Sequence, residues 1–383
     1  MTAIEPLSIP AGPGVLDVLP RLADALRGHP IAPYAAGGQP PDLADLGAAD
    51  VPDDLAVVVG TSGSTGDPKR AMLTTSALAA SIGATHRRLG GPGQWLLALP
   101  SHHIAGLQVL LRGLVAGHDP VVSEGTGVDA FASTARLLDP DARRYTALVP
   151  TQVTRLLADP SGCEALRGFD AVLVGGAALS PRLRDRADRE SVVLVATYGM
   201  SETCGGCVYD GTPLEGTEIR LDEDGRVLLG GPMLAAGYLA DPERTQQSFP
   251  VDSGGRRWFR TDDHGEIRPD GRLHVHGRLD DIITTGGLKV APRVVEEALH
   301  ALPGIDDALV VGIPDDEWGQ AVAALVVPVD SSTPPTLDAL RDTLRASLPG
   351  HALPRRVAVV RGIPTRGPGK PDRRAASILL TDG

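Results

Sequence analysis

A loop of glycine, serine and threonine residues follows a short apolar run at residues 56–69, AVVVGTSGSTGDPK. The β-branched residues 57–59 predict the end of a buried strand. The glycines of the loop can turn backbone N–H groups toward an anion, its hydroxyls add donors, and Lys69 adds a positive charge. These residue types at this spacing predict that the loop binds a polyphosphate.

The loop differs from the Walker pattern of P-loop proteins. Five residues separate Gly60 from Gly66, one more than that pattern has, and Pro68 rather than a Lys-Ser/Thr pair follows nearby. A flexible surface linker is the alternative interpretation, because Gly/Ser/Thr clusters are common in linkers. The strand before the loop and the lysine behind it favour phosphate binding.

His102 and His103 lie between a strand-like segment at residues 94–99 and an apolar, helix-like one at residues 107–115. In α/β proteins ligands bind at the carboxyl ends of strands, so these histidines are candidates for ligand contact. A helix cap or a merely exposed position is the alternative for either histidine.

The chain has three cysteines, Cys163, Cys204 and Cys207, which fits a reducing compartment and gives no disulfide framework. Cys204 and Cys207 form a C-x-x-C pair, typical of redox motifs or of half a zinc site. No second pair accompanies it and the nearest histidines are distant in sequence. We therefore interpret the pair as incidental.

Composition narrows the class of protein. With 383 residues, 42% of them hydrophobic and 22% charged, the chain predicts two or three globular domains. No apolar stretch approaches the ~20 residues of a membrane-spanning helix, and the N-terminus lacks a secretory pattern, so we expect a cytoplasmic protein. A net charge of −12 argues against nucleic acid as a partner. The sequence leaves the oligomeric state open, with a homodimer as one option.

Strand-like runs, glycine turns and helix-like runs alternate over the first half of the chain. This alternation predicts an α/β fold with an open, largely parallel sheet covered by helices. Residues 1–50 carry no recognisable motif and predict one helix at 15–26. The predicted strands are at residues 94–99, 145–149, 171–174 and 192–196, and the predicted helices at 74–89, 107–115 and 151–157.

The pattern of predicted strands, turns and helices changes twice further along the chain. Short strands and tight turns predict a β-rich subdomain at residues 218–276 within an N-terminal domain of residues 1–278. Beyond it, residues 281–383 predict a small α+β C-terminal domain, joined by a hinge near 279–281. The basic segment at residues 363–374 predicts a mobile loop, with a solvated surface as the alternative.

The sequence resembles the acyl-adenylate-forming enzymes, which include acyl-CoA synthetases, nonribosomal adenylation domains and luciferases. The resemblance covers roughly residues 55–375 and rests on a series of motifs in the order of the family. These are TSGSTGDPK at 61–69, GGAAL at 175–179, YGMSET at 198–203, WFRTDDHG at 258–265, GRLDDIITTGG at 277–287 and GKPDR at 369–373. Within the family, PSHHIAG at 100–106 and LVPTQVTRLL at 148–157 are most similar to the o-succinylbenzoate-CoA ligases of menaquinone biosynthesis.

The resemblance implies a large N-terminal α/β domain and a small, mobile C-terminal domain. Only about sixty residues precede the glycine-rich loop, so it also implies a shortened N-terminus. The implied activity is a two-step ligation. A carboxylate attacks the α-phosphorus of MgATP to give an acyl-adenylate and diphosphate, and CoA thiolate then displaces AMP. ATP, Mg²⁺ and CoA are the implied cofactor and co-substrates.

The resemblance also implies roles for single residues around the nucleotide. The loop would hold the β- and γ-phosphates, Glu202 would bind Mg²⁺, and Ser201 would contact the α-phosphate. Tyr198 would lie against the adenine, Asp263 would accept hydrogen bonds from the ribose, and Arg278 would support the ribose or a phosphate. The phosphate-binding residues are Thr61, Ser62, Gly63, Ser64, Thr65, Gly66 and Lys69, and the adenine pocket adds Gly176, Ala177 and Gly199.

Further roles concern the reacting groups. Lys370 would reach the reacting carboxylate, and His103 would be a gate between the nucleotide and acyl or thiol sites. Rotation of the C-terminal domain about Asp280 would exchange Lys370 for Gly286 and Gly287 beside the CoA channel. Candidates to anchor a distal carboxylate of the acid, on position alone, are Thr151, Gln152 and Arg155.

One departure from the family pattern affects the ribose site. The glycine that usually precedes the ribose-binding aspartate is replaced by Asp262. The aligned carboxylate is therefore Asp263, with Asp262 as the alternative.

Three other functions stay open from the sequence. One is an adenylate-forming enzyme for another acid, or one that loads a carrier protein, although the chain carries no carrier domain of its own. Another is an inactive nucleotide-binding regulator, against which the retention of Lys69, Glu202 and Lys370 speaks. The third is a phosphotransferase that makes acyl phosphates, which would release ADP rather than AMP.

Overall fold

The computed structural model describes residues 3–43, 51–61, 69–366 and 370–381. Five of the predicted phosphate-binding residues, Ser62, Gly63, Ser64, Thr65 and Gly66, lie outside the described residues. Thr61 and Lys69 border that segment and are described.

Most helices begin at a proline or behind a capping side chain, as the preferences of helix N-termini predict. Asp159, Ser180 and Thr336, for example, each accept hydrogen bonds from backbone N–H groups in the first turn. The α-helices are α1 Leu19–Ala25, α2 Thr75–Arg88, α3 Ile104–Ala116, α4 Val128–Ala135, α5 Pro150–Leu157, α6 Pro160–Arg167, α7 Pro181–Arg189, α8 Pro242–Ser248, α9 Pro292–His300, α10 Leu337–Leu344 and α11 Arg373–Thr381. Short 3-10 helices are Gly12–Val18, Ser201–Thr203, Leu279–Asp281 and Gly350–Ala352.

The strands are mostly short and rich in β-branched or other apolar residues. They are β1 Glu5–Ile9, β2 Ile31–Ala35, β3 Leu55–Thr61, β4 Lys69–Thr74, β5 Gln94–Leu97, β6 Val121–Val122, β7 Arg144–Leu148, β8 Ala171–Val174, β9 Leu194–Met200, β10 Gly205–Tyr209, β11 Thr212–Pro213, β12 Glu218–Leu221, β13 Arg226–Gly230, β14 Gly237–Tyr238, β15 Trp258–Ile267, β16 Leu273–Arg278, β17 Ile283–Thr285, β18 Leu288–Val290, β19 Ile305–Asp315, β20 Gly319–Pro328, β21 Arg356–Val359, β22 Thr365–Arg366 and β23 Lys370–Pro371.

The central sheet has the strand order β11-β10-β9-β8-β7-β5-β6. The strands β6, β5, β7, β8 and β9 run parallel, and β10 and β11 are antiparallel additions at one edge. The α/β prediction from alternating strands and helices is therefore confirmed.

A second sheet, of order β1-β2-β3-β4-β14, contains two strands from the first fifty residues. The sequence predicted a single helix there, at 15–26, and that region folds as a 3-10 helix followed by α1. The strands β1 and β2 were not predicted because Pro6 and Pro33 interrupt them and prolines are rare in strand interiors. Pairing of β1 with β2 and of β2 with β3 overrides this weak local preference.

The glycine-rich segment lies between two paired strands. The strands β3 and β4 are antiparallel, and their register pairs Thr61 with Lys69. The sequence analysis predicted the helix α2 after this segment but did not predict β4, the strand between them. The segment therefore joins the two strands of a hairpin, in contrast to a P-loop, which joins a strand to a helix.

Two further sheets follow in the chain. The antiparallel sheet β12-β13-β15-β16 lies within residues 218–278, where the sequence predicted a β-rich subdomain. The sheet β18-β17-β20-β19, extended by β21 on β20, carries α9 and α10 on one face and α11 on the other. This last sheet forms the core of the small C-terminal domain.

The main apolar core lies between the sheet β1-β2-β3-β4-β14 and one face of the central sheet. Trp95, Leu107 and Tyr145 are fully buried in it. The opposite face of the central sheet packs against α4 to α7 through residues such as Val153 and Leu166. No helix among the described residues is long and apolar enough to cross a membrane.

The C-x-x-C pair belongs to this core. Cys204 and Cys207 are almost fully buried, and burial raises the pKa of the Cys207 thiol to about 12 and that of Cys204 further. Both thiols are therefore protonated at neutral pH, and the carbonyl of Cys204 accepts hydrogen bonds from Ser81 and Gln108.

His86 is a second unusual core residue. It is 9% exposed, and its Nε2 has no hydrogen-bond partner within the described residues. Burial, followed by the charge of Arg112, lowers the pKa of His86 from 6.5 to about 4. Arg112 is itself buried and lies over the ring of Trp95, 5.1 Å from its centroid. The imidazole is therefore neutral in the folded protein at neutral pH.

We predict that His86→Gln reduces the loss of stability on mild acidification. Because the unfolded state binds a proton at His86 near pH 6.5 and the folded state only near pH 4, stability falls as pH falls through this interval. The contribution is up to roughly 3 kcal/mol. Denaturant unfolding at pH 7 and pH 4.5 measures it. The exposed His29→Gln is the control, and an unchanged pH dependence in His86→Gln would contradict this assignment.

Candidate active site

Several predicted nucleotide residues lie at one edge of the central sheet. Gly176 and Ala177 follow β8 directly, and Tyr198 and Gly199 are near the end of β9. Because β8 and β9 are parallel neighbours, their carboxyl ends meet at the same edge. Ser201 and Glu202 then form the 3-10 helix that follows β9.

Gly199 allows a close approach between two strands. It pairs with Gly206 on β10, and a Cβ atom at Gly199 would lie 2.1 Å from the carbonyl oxygen of Gly205. Only glycine fits at this position. Its predicted role at the nucleotide therefore coexists with a structural role that is visible in the strand pairing.

Tyr198 and Asp263 are joined by a hydrogen bond between the central sheet and the antiparallel sheet. The hydroxyl of Tyr198 donates to Oδ2 of Asp263 at 2.7 Å. Burial, then the charge of Asp263, raises the pKa of Tyr198 well above its usual value, so this tyrosine stays a donor. Burial also raises the pKa of Asp263, although the hydrogen bond from Tyr198 and the charge of Arg278 lower it.

The two neighbouring aspartates have different surroundings. Asp262 is exposed and forms ion pairs with Arg226 at 3.3 Å and Arg278 at 3.4 Å. Asp263 is half-buried and faces Tyr198. This difference favours Asp263 over Asp262 as the carboxylate for the ribose.

Arg278 and Asp280 lie next to this pair. Arg278 is opposite Asp263 in the register of β15 and β16, and its Nη2 is 3.1 Å from Oδ2 of Asp280. Asp280 is in the 3-10 helix at residues 279–281, between the antiparallel sheet and β17. The predicted hinge residue is thus tied to the predicted ribose site by one ion pair.

Glu202 is 7% exposed, and its Oε1 accepts a hydrogen bond of 2.8 Å from the hydroxyl of Tyr238. Nζ of Lys69 lies over the ring of the same tyrosine, 5.6 Å from the centroid. Tyr238 is on β14, which pairs with β4 and so lies beside the strand that begins with Lys69. Burial, then the charge of Glu202, raises the pKa of Tyr238, so it remains a donor.

Tyr238 was missed by the sequence analysis. It is 36 residues from Glu202 in the chain, and β14 is a strand of two residues, so no local pattern pointed to it. The structure makes it the residue that joins the predicted magnesium ligand to the predicted phosphate lysine.

The histidine pair lies at the start of α3. His103 is at the N-cap position without a side-chain capping hydrogen bond, and its ring centroid is 4.1 Å from that of His102. Burial, followed by the charges of His102 and Lys370, lowers the pKa of His103. The charge of Lys370, from the C-terminal domain, therefore acts on His103, and the imidazole of His103 makes no side-chain capping hydrogen bond among the described residues.

Gly286 and Gly287 occupy the turn between β17 and β18. Both are exposed and have positive φ values of 57° and 77°, a conformation that favours glycine. A Cβ atom at Gly286 would lie 2.6 Å from the ring of Trp318. In this conformation the two glycines form a surface turn of the C-terminal domain.

A small open cavity is lined by two of the three residues predicted to anchor the acid. Arg155 is exposed on its wall. Gln152 also lines it, but its amide is engaged at both ends, by the backbone N–H of Val149 and the carbonyl of Ala98. Thr151 is half-buried on α5 and is not among the described residues that line the cavity.

Comparison with known protein families identifies two segments. Residues 29–239 match the model of the AMP-binding enzymes, and residues 294–370 match that of the AMP-binding enzyme C-terminal domain. The chain belongs to the AMP-binding enzyme family. Tyr198, Glu202 and Tyr238 fall within the first segment, and Lys370 is the last residue of the second.

Individual proteins similar to this chain indicate which members of the family it resembles. A probable 2-succinylbenzoate-CoA ligase of Mycobacterium tuberculosis is 45% identical over an alignment of 378 positions that covers 96% of this chain and 96% of its own. The o-succinylbenzoate coenzyme A synthetase of Bacillus subtilis, solved with ATP and magnesium ion, has a TM-score of 0.70 at 25% identity and covers 84% of this chain and 69% of its own. An amide bond synthetase of Marinactinospora thermotolerans has a TM-score of 0.77 at 30% identity, over 97% and 80% of the two chains.

These findings confirm the family resemblance and the fold class predicted from the motifs. The chain is an adenylate-forming CoA ligase with a large N-terminal and a small C-terminal domain. The roles of single residues and the exact domain boundaries stay predictions.

We predict that Tyr238→Phe raises the KM for MgATP about tenfold, equivalent to about 1.4 kcal/mol. The change removes the donor to the buried carboxylate of Glu202 but keeps the ring beneath Lys69. Steady-state kinetics with varied MgATP measures the effect.

Tyr209→Phe is the matched control for this experiment. Tyr209 is a fully buried tyrosine whose hydroxyl pairs with Thr85, away from Glu202. We expect it to lower the melting temperature without changing the KM for MgATP. An unchanged KM in Tyr238→Phe would show that this hydroxyl does not orient Glu202 for MgATP.

Proposed function

We propose that this enzyme converts 2-succinylbenzoate, ATP and CoA to 2-succinylbenzoyl-CoA, AMP and diphosphate, a step of menaquinone biosynthesis. The observation that carries this proposal is the 45% identity, over 96% of both chains, to a probable 2-succinylbenzoate-CoA ligase. The similarity to the o-succinylbenzoate coenzyme A synthetase of Bacillus subtilis supports it.

The chemistry has two steps. A carboxylate oxygen bonds to the α-phosphorus of ATP while the bond to the β-phosphate oxygen breaks, and diphosphate leaves. The sulfur of CoA then bonds to the acyl carbon, the acyl–oxygen bond of the adenylate breaks, and AMP leaves. The first step concentrates negative charge on phosphate oxygens, so positive groups must be aimed there before the reaction.

Tyr198 and Asp263 are proposed to hold the nucleoside. Since Oδ2 of Asp263 accepts the hydroxyl of Tyr198, Oδ1 is left for a ribose hydroxyl. The ring of Tyr198 would then lie against the adenine, beside Gly176 and Ala177 at the same sheet edge. Arg278, on the strand opposite Asp263, would support the ribose or a phosphate.

Glu202 and Lys69 are proposed to serve the phosphates. One oxygen of Glu202 is held by Tyr238, which leaves the other for a metal ion. A carboxylate oxygen suits Mg²⁺, so the donor fits the ion. When bound, Mg²⁺ would neutralise phosphate charge. Lys69 lies across the ring of Tyr238 from this position, and Ser201, adjacent to Glu202, would contact the α-phosphate.

Lys370 and His103 are proposed to face the reacting carboxylate. Lys370 would stabilise the charge that develops as the carboxylate meets the α-phosphate. His103, whose pKa is lowered, is neutral at neutral pH and does not repel this ammonium group. After adenylate formation, rotation about Asp280 would replace Lys370 with the Gly286-Gly287 turn beside CoA.

Arg155 is the proposed anchor for the second carboxylate of the acid. It is the exposed cation among the residues that line the open cavity. A guanidinium pairs well with a carboxylate through two parallel hydrogen bonds. Gln152 would shape the wall of the cavity, because its amide already bonds to the backbone at Ala98 and Val149.

The experiment that tests the proposal is product analysis by mass spectrometry with Mg²⁺, ATP, CoA and one acid per tube. We expect AMP together with an acyl-CoA from 2-succinylbenzoate, and neither from benzoate, a medium-chain fatty acid or an amino acid. Turnover of another acid in preference would contradict the substrate assignment. Formation of ADP would contradict the ligase chemistry.

We predict that Arg155→Gln raises the KM for 2-succinylbenzoate at least tenfold and leaves the KM for ATP unchanged. A lost charge-assisted hydrogen bond is worth about 1.5–3 kcal/mol, which corresponds to this change. Arg155→Lys is the control that keeps the positive charge, and we expect an intermediate KM. If Arg155→Gln matched the wild type, the distal carboxylate would be bound elsewhere.

A further inference from the structure

Polar side chains of α7 and of β16, among the described residues, contact the C-terminal domain. At the first of these contacts, Nη1 of Arg182, on α7, donates to the carbonyl oxygen of Ile305 at 2.6 Å. The second guanidinium nitrogen of Arg182 lies 4.0 Å from the carboxylate of Asp306. Ile305 is the first residue of β19, is 1% exposed and belongs to the core of the C-terminal domain, so Arg182 contacts the edge of that core.

The second contact is formed by β16 and α9. Nε2 of His274 lies 3.4 Å from Oε2 of Glu297. The other oxygen of Glu297 pairs with Arg293 at 2.9 Å, one turn earlier on α9, which fixes the carboxylate toward the histidine. Arg182 and His274 are each partly buried where they make these contacts.

The helix α9 connects this interface to the segment that follows Lys370, which is the first residue of β23. Glu296, next to Glu297, pairs with Arg373 at 3.0 Å and accepts the backbone N–H of Val310. Arg373 also pairs with Asp281 of the 3-10 helix at 3.0 Å. Arg373 is three residues after Lys370 in the chain. Its ion pair with Glu296 on α9 therefore links the position of Lys370 to that of α9.

We infer that Arg182 and His274 are positioning residues that hold the C-terminal domain in its observed orientation, the one in which Lys370 serves adenylate formation. The inference rests on the proposed function in one respect, that Lys370 acts in adenylate formation. Neither residue touches the reacting groups. They act through α9 and β19, and without them Lys370 spends less time at the nucleotide.

The adenylation and thioester steps should respond differently to loss of these contacts. In the proposed mechanism CoA attacks after Lys370 has left, so contacts that hold Lys370 in place do not help this step. Loss of either contact should slow the first half-reaction and spare the second. A residue that merely stabilises the fold would affect both half-reactions alike.

The test compares Arg182→Ala, His274→Ala and Arg189→Ala in single-turnover experiments. Arg189 is on the same helix as Arg182, but within the described part of the chain its side chain bonds inside α7, to the carbonyl of Asp185. We expect Arg182→Ala and His274→Ala each to slow diphosphate release about tenfold. Thioester formation from supplied acyl-adenylate should stay within about twofold of the wild type. Arg189→Ala should match the wild type in both steps, and Arg182→Lys should regain part of the loss.

Lys370→Ala is the benchmark, with adenylation nearly abolished and thioester formation retained. If the wild type released no diphosphate with any acid, the proposed function would fail. If it did and Arg182→Ala released diphosphate equally fast, or lost both steps to the same extent, the positioning role would be wrong.

Hydrogen exchange gives a second readout that needs no substrate. Arg182→Ala should speed amide exchange in α9 and in the first residues of β19, whereas Arg189→Ala should not. Unchanged exchange in both segments would also overturn the inference.

Discussion

The hydrogen bond between Tyr198 and Asp263 is the constraint on which the candidate nucleotide site depends. It joins the end of a strand in the parallel sheet to a strand of the antiparallel sheet, and both partners are half-buried. A phenol and a carboxylate removed from water must satisfy each other, since an unpaired buried group costs about 1–3 kcal/mol. The bond therefore fixes the distance between the two sheets, and with it the gap in which a nucleoside is proposed to bind.

The other groups of the site are arranged around this junction by elements that are distant in sequence. Tyr238, on a two-residue strand beside β4, orients Glu202 and lies beneath Lys69. The C-terminal domain supplies Lys370, whose charge acts on His103 and whose position is inferred to depend on contacts to α7 and β16. The candidate active site is thus assembled from separate parts of the fold.

Much of the fold could be predicted because its strands are compact apolar runs. Residues 171–174 were predicted with their observed bounds, and the motif series identified the family. The strands β1 and β2 could not be predicted, because prolines interrupt them and the pairing that stabilises them, of β1 with β2 and of β2 with β3, joins segments distant in sequence. Tyr238 and Arg182 were missed for a related reason. Their partners are 36 and 123 residues away, and a contact over such a separation leaves no local pattern. Gln152 stays a candidate on the wall of the cavity, and its hydrogen bonds to the backbone at Val149 and Ala98 were not visible in the sequence.

The central claim is that the chain activates a carboxylate by joining it to AMP, and isotope transfer tests this most directly. The acid is supplied with ¹⁸O in its carboxylate groups, together with ATP, Mg²⁺ and CoA, and the products are weighed by mass spectrometry. Attack on the α-phosphorus predicts AMP that carries one ¹⁸O atom and diphosphate that carries none. Label in diphosphate or orthophosphate, or unlabelled AMP beside a labelled thioester, would contradict the acyl-adenylate account.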